Sequence, residues 1–69
     1  MKMDDLLYKK VKYCGNELRL DRSKAYFVWY VNSQSGILEL ILYEYLFWDA
    51  SIIRLNSIDF ETKDFAIKT

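Results

Sequence analysis

The 69-residue chain has no histidine and no proline, a single cysteine and only two glycines. Each absence closes off a class of chemistry. Without histidine there is no side chain whose ordinary pKa lies near neutrality, and no histidine-based triad or His/Cys zinc site. Cys14 has no partner for an internal disulfide, and a free thiol fits a reducing compartment. With Gly15 and Gly36 as the only glycines, a glycine-rich phosphate loop is excluded. Charge of one sign is also missing: ten basic and ten acidic residues cancel to a formal net charge of zero.

Long apolar runs are absent too. The longest apolar stretch, Ile37–Trp48, carries Glu39 and Glu44, whereas a spanning helix needs ~20 apolar residues. The first twelve residues place charges where a secretory signal would have its apolar centre. The expectation is one soluble cytoplasmic domain over 1–69, with no membrane partner and no cofactor.

What is present in quantity is apolar surface: 52% of residues are hydrophobic and 17% aromatic. A chain this short buries only ~60% of the surface that its unfolded form exposes. Codon composition accounts for part of the excess. Residues with AT-rich codons (Phe, Tyr, Met, Ile, Asn, Lys) number 28, against 8 for Gly, Ala, Arg and Pro. The charges are sorted along the chain. Residues 1–24 hold seven basic and four acidic residues, and 25–69 hold three and six. Such a dipolar chain favours head-to-tail contacts or an oppositely charged partner.

Short runs rich in aromatic and β-branched residues alternate with polar turn residues, which predicts a mainly β fold. The expected architecture is a small, single-domain curled antiparallel sheet or barrel of about five to six strands. The alternative is an α+β fold with an N-terminal helix over 5–14, capped by Asp4 and ended by Gly15. Gly15-Asn16 suits a two-residue hairpin turn. That hairpin would place Val11, Tyr13, Leu18 and Leu20 on one side and Lys10, Lys12, Glu17, Arg19 and Asp21 on the other. A second hairpin joins Ala25–Val31 to a strand from Ile37 through residues 32–36. Val31 then faces Ile37, Trp29 faces Glu39, Tyr26 faces Leu42, and Lys24 meets Glu44. Ile37–Trp48 reads as a strand with a bulge near Tyr43, in competition with a helix. A last hairpin over 58–67, with its loop at Glu61–Asp64, sets Phe60 opposite Phe65 and Ile58 opposite Ile67.

Two surfaces follow. The second hairpin is apolar on both faces, so one face is left for a partner. Phe27, Trp29 and Tyr43 around Glu39, extended by Tyr45, Phe47 and Trp48, form the candidate protein interface, since aromatic residues dominate interface energetics. The first hairpin sets Lys12 opposite Arg19, with Lys10 beside them, and an anion would relieve that like-charge repulsion. The expected function is a non-enzymatic protein-interaction module that self-associates and binds or blocks another protein, in the manner of a phage-type inhibitor of a host system. The alternative is an anion- or nucleic-acid-binding β protein that uses Lys10, Lys12 and Arg19.

Overall fold

The computed structural model describes residues 2–45 and 52–68. Five strands form one antiparallel sheet: β1 (Lys10–Tyr13), β2 (Ala25–Asn32), β3 (Ile37–Leu42), β4 (Ile53–Asn56) and β5 (Phe65–Ile67). Their order across the sheet is β4-β3-β2-β1-β5. The fold is therefore mainly β, a curled sheet that does not close into a barrel. Short 3₁₀ turns stand at Met3–Leu6, Tyr43–Tyr45 and Thr62–Asp64.

The alternation of apolar and polar residues decides which side of the sheet is buried. Val11 and Tyr13 of β1, Tyr26 and Val28 of β2, Leu38 and Leu40 of β3, Leu55 of β4 and Phe65 of β5 all point into one core. Leu6, Leu20 and Phe60, from segments outside the sheet, close that core from the other side. Phe65 packs edge-on against Phe60 at 5.6 Å and tilted against Tyr13 at 5.1 Å, ring arrangements that aromatic quadrupoles favour.

The helix considered for residues 5–14 is replaced by the 3₁₀ turn at Met3–Leu6 and by strand β1. The hairpin expected at Gly15-Asn16 does not form either. Both edges of β1 are already taken, by β2 (Val11↔Tyr26) and by β5 (Lys12↔Ala66), so residues 14–24 cannot pair with it and become a loop. Leu18, assigned to the apolar side of that hairpin, is 97% exposed. Gly15 is needed for a different reason: a side chain there would overlap the Tyr13 hydroxyl and ring. Two buried tyrosines hold the loop down. The Glu17 backbone N–H donates to the Tyr13 hydroxyl at 2.8 Å, and the Asp21 N–H donates to the Tyr26 hydroxyl at 2.7 Å.

The second hairpin forms as expected over half its length. Tyr26↔Leu42, Phe27↔Ile41 and Val28↔Leu40 pair in the anticipated register. Beyond Val28 the register shifts, with Tyr30↔Glu39 and Val31↔Leu38. The bulge therefore sits at Trp29 and not near Tyr43, and it turns Tyr30 outward and Val31 toward the core. Ile37–Leu42 is a strand, and the chain bends at Tyr43 through a 3₁₀ turn. The tight connection before β3 uses Asn32, whose Oδ1 accepts the N–H groups of Gln34 and Ser35, and Gly36 at φ 71°. That left-handed conformation favours glycine.

The C-terminal hairpin is also replaced. β5 pairs with β1 instead of residues 58–60, because β1 offers a free edge that buries Phe65 beside Tyr13. Ile58, expected opposite Ile67, is exposed. Phe60 and Phe65 do meet, as core rings and not as ladder partners.

If the two buried hydroxyls anchor the loop, Tyr13→Phe and Tyr26→Phe each lower stability by about 0.5–1.5 kcal/mol. In amide hydrogen exchange, Tyr13→Phe specifically speeds Glu17 and Tyr26→Phe specifically speeds Asp21. Unchanged exchange at those two amides would count against this anchoring.

Candidate interaction face

The outer side of the sheet gathers the side chains that the core does not use. In an antiparallel sheet, residues directly opposite share a face. Lys10, Phe27 and Ile41 are consecutive partners across β1, β2 and β3, and Tyr30, Glu39 and Arg54 are consecutive partners across β2, β3 and β4. Tyr8 joins them from just before β1. It is 67% exposed, and its ring stacks over Phe27 at 6.4 Å. Its backbone sits at φ 61°, unusual for a residue with a Cβ, and is held there by an N–H bond of 2.7 Å to the Val28 carbonyl. Tyr43 stands at the end of β3 with the Lys10 ammonium 4.2 Å above its ring, a cation–π contact. Trp29 and Tyr30 lie side by side at the bulge, with ring centroids 6.1 Å apart. Trp29 remains 42% exposed.

Among the described residues, Glu39 is the one charged residue that is buried, at 7% exposure. Its carboxylate is satisfied by Arg54, whose Nε and Nη2 both lie 2.9 Å from Oε2. The neighbouring strands cover the acid, while the guanidinium stays largely in solvent. Both partners of the fixed pair on this face are thus neutralised locally. Lys24 and Glu44, the cross-strand pair expected from the sequence, meet at 3.4 Å at the end of the sheet. Beside them, Lys10, Lys24, Ala25, Leu42 and Tyr43 line a depression of about 360 Å³.

Of the residues expected at a protein interface, Phe27, Trp29, Glu39 and Tyr43 are brought to this one face. Glu39 serves there as a buried partner of Arg54 and not as an exposed contact. The Tyr45 side chain, Phe47 and Trp48 lie outside the described residues. Tyr8 and Tyr30 were missed. The register shift that turns Tyr30 outward leaves no pattern in the sequence, and Tyr8 reaches the face through a left-handed backbone that no local pattern marks.

The expected anion site is divided. Lys10 and Lys12 lie on β1, on the outer face, with Lys12 between Ala25 and Ala66. Arg19 is not opposite Lys12. Its guanidinium is held in the loop by Glu17 (Nε–Oε1 3.0 Å), by Asp59 (Nη2–Oδ2 3.2 Å) and by the Arg54 carbonyl (2.9 Å). The hydrogen bonds from Arg19 hold the Glu17 carboxyl below its usual 4.5 and raise Arg19 in turn. A lowered carboxyl stabilises the fold above its ordinary value and loses that contribution as the pH falls through the lowered one. Asp21 is lowered in the same sense by hydrogen bonds from Ser23. The loops at this end of the molecule are acidic: Glu17, Asp59, Glu61 and Asp64 line a depression of about 460 Å³ beside Tyr13. Charge is therefore partly separated in space: Lys10 and Lys12, in no ion pair among the described residues, lie on the outer face, and Glu17, Asp59, Glu61 and Asp64 lie among the loops.

Among the described residues, no group of three or more His, Cys, Asp or Glu side chains is arranged to hold a metal ion. Nor is any helix among them long and apolar enough to cross a membrane. Comparison with protein-family models, with curated proteins and with solved structures gives no match.

If Arg54 is what makes a buried Glu39 tolerable, Arg54→Met costs about 1–3 kcal/mol, because the carboxylate stays buried without its donor. Replacing both residues by apolar ones restores much of that loss. Chemical denaturation of the three variants measures both effects. A double variant no more stable than Arg54→Met would count against the pairing.

Proposed function

We propose that this chain is a cytoplasmic, non-enzymatic interaction module that self-associates and that binds and blocks another protein through the outer face of its sheet. The observation that carries the reading is the field of exposed rings Tyr8, Trp29, Tyr30 and Tyr43, with Phe27 between them, on one side of a very small domain. Tyrosine and tryptophan supply large contact area at low cost in side-chain entropy and are enriched at the energetic centres of interfaces. The bent backbone at Tyr8 and the bulge at Trp29 both serve to present a ring outward, at some expense in local regularity. The exposed Cys14 is compatible with a reducing compartment.

The test is native mass spectrometry of the protein purified from its source cells, beside the variants Trp29→Ala and Tyr43→Glu. The expected result is a retained protein partner that both variants bind about 30-fold more weakly or lose, with unchanged circular dichroism. A partner held equally by wild type and both variants would assign the contact to another surface. Wild type free of any other protein would remove the reading.

One observation favours a second reading. Lys10 stands over the Tyr43 ring and opposite Phe27, Lys12 follows it on the same face of β1, and neither makes an ion pair among the described residues; cations beside stacking platforms are the pattern by which single-stranded nucleic acid is held. On that reading, oligo(dT) quenches Trp29 fluorescence with an affinity that falls steeply with salt, and Lys12→Glu abolishes it. Absence of quenching at low salt would exclude it.

A further inference from the structure

Two segments close the core on the side away from the outer face, and each is apolar in two directions. Leu20 and Phe60 point inward, at 7% and 6% exposure. Leu18 and Ile58, two residues before them, point outward at 97% and 91%, the most exposed large apolar side chains among the described residues. Both stand on braced turns. The Leu20 N–H returns to the Glu17 carbonyl at 3.2 Å, and the Asp59 N–H returns to the Asn56 carbonyl at 2.7 Å. The Arg19 guanidinium ties one turn to the other. It binds Glu17 and Asp59, and it donates to the Arg54 carbonyl at 2.9 Å on the free edge of β4, which it closes to a further strand. Leu18 and Ile58 are therefore held in place before anything covers them, so little ordering entropy opposes their burial.

Carboxylate is in excess around these two side chains. The depression beside Ile58 is lined by four acids, Glu17, Asp59, Glu61 and Asp64, and by no lysine or arginine. Two cations are bound to those acids: Arg19 is shared between Glu17 and Asp59, and Lys63 pairs with Glu61 at 3.0 Å. The outer face is the opposite in both respects. Its apolar surface is aromatic, with Tyr8, Trp29, Tyr30 and Tyr43 exposed, and its Lys10 and Lys12 make no ion pair among the described residues.

We infer that the loops carrying Leu18 and Ile58 dock on the outer face of a second copy of this chain, head to tail. Charge and apolar surface both select that occupant. The loop end offers two aliphatic side chains among carboxylates, and the outer face offers rings among ammonium groups. Two copies meeting face to face would instead bring lysines against lysines, and two meeting loop to loop would bring acids against acids, which like-charge juxtaposition disfavours. The two surfaces lie on opposite sides of one small domain, so docking one leaves the other free. Such an interface is heterologous, and it closes into a ring of three or more copies or continues as an open chain. The inference rests on the outer face being an interaction surface, and it names what covers that face when the chain meets itself.

Sedimentation velocity of the full chain from micromolar to millimolar concentration tests it. The expected result is an average mass that rises from 8.3 kDa past twice that value and falls back as salt is added. The double variant Leu18→Ser, Ile58→Ser changes two side chains that the core does not use, and Trp29→Ala changes the face. Each associates about 30-fold more weakly than wild type, with unchanged circular dichroism. Mixed in equal amounts, the two variants form a one-to-one pair and stop there, because the pair joins the intact loops of one to the intact face of the other. Lys12→Glu replaces Trp29→Ala if that variant fails to fold. A strict monomer over the whole range, a plateau at the dimer mass or a mixture that stays monomeric overturns the inference. A double variant that associates as wild type does, while Trp29→Ala does not, shows copies meeting face to face: the outer-face reading then stands and this inference falls. If both variants associate as wild type does, self-association lies on neither surface and both readings of it fall.

Discussion

The backbone pairing of Lys10–Tyr13 on both of its sides is the constraint from which the rest follows. A strand with two partners has no edge left for its own sequence neighbour. Once β2 and β5 hold β1, residues 14–24 have nowhere to pair, and they cross the core as a loop tied to it by the hydroxyls of Tyr13 and Tyr26. The same pairing orients β1, with Val11 and Tyr13 inward and Lys10 and Lys12 outward. It also draws the C-terminal segment to the edge beside β1 and stacks Phe65 on Tyr13. Most of this pairing is between residues distant in sequence, so its loop-closure entropy is offset by core burial rather than by local propensity.

The bulge at Trp29 is the second organising event. Before it, the residues of β2 alternate with Tyr26 and Val28 in the core. After it, Val31 packs inward and Tyr30 stands outside. One inserted residue thus satisfies two demands that strict alternation could not. It keeps β-branched bulk in the core, and it leaves two adjacent aromatic rings on the surface. The cost is a carboxylate, Glu39, buried between the strands beside it and neutralised by Arg54. A buried ion pair of this kind is weak evidence for stability; it ties β3 to β4 at one position of their ladder.

Together these features give the molecule two unlike sides. The outer face is aromatic with two lysines, and the loop end is acidic, with Arg19 bound among Glu17 and Asp59. The arginine expected in a basic site is spent on closing the β4 edge. The charge separation along the sequence survives in space, but its members are regrouped. Basic residues of β1 join aromatic residues of β2 and β3, and acidic residues from both halves of the chain meet among the loops. Two surfaces that looked separate in the sequence, one aromatic and one basic, become a single one.

The β class, the alternation of β2 as far as Val28 and of β3, the connection at 32–36 and the Lys24–Glu44 pair were legible in the sequence, because each rests on alternation or turn chemistry within a few residues. Phe27, Trp29 and Tyr43 were legible as surface candidates for the same reason. The errors lie where a distant partner outcompeted a local one. Gly15-Asn16 has the composition of a hairpin turn, yet β5 displaced residues 17–20 from β1, and Gly15 was kept for its close approach to Tyr13. Residues 58–60 alternate well, yet β1 offered Phe65 a better-buried place. Composition and periodicity determined that this chain is a small β domain with more aromatic surface than its core uses. Only the tertiary structure decided which edges pair, where the bulge falls and which cations stand beside the rings, because those depend on competition among strands that no local pattern encodes.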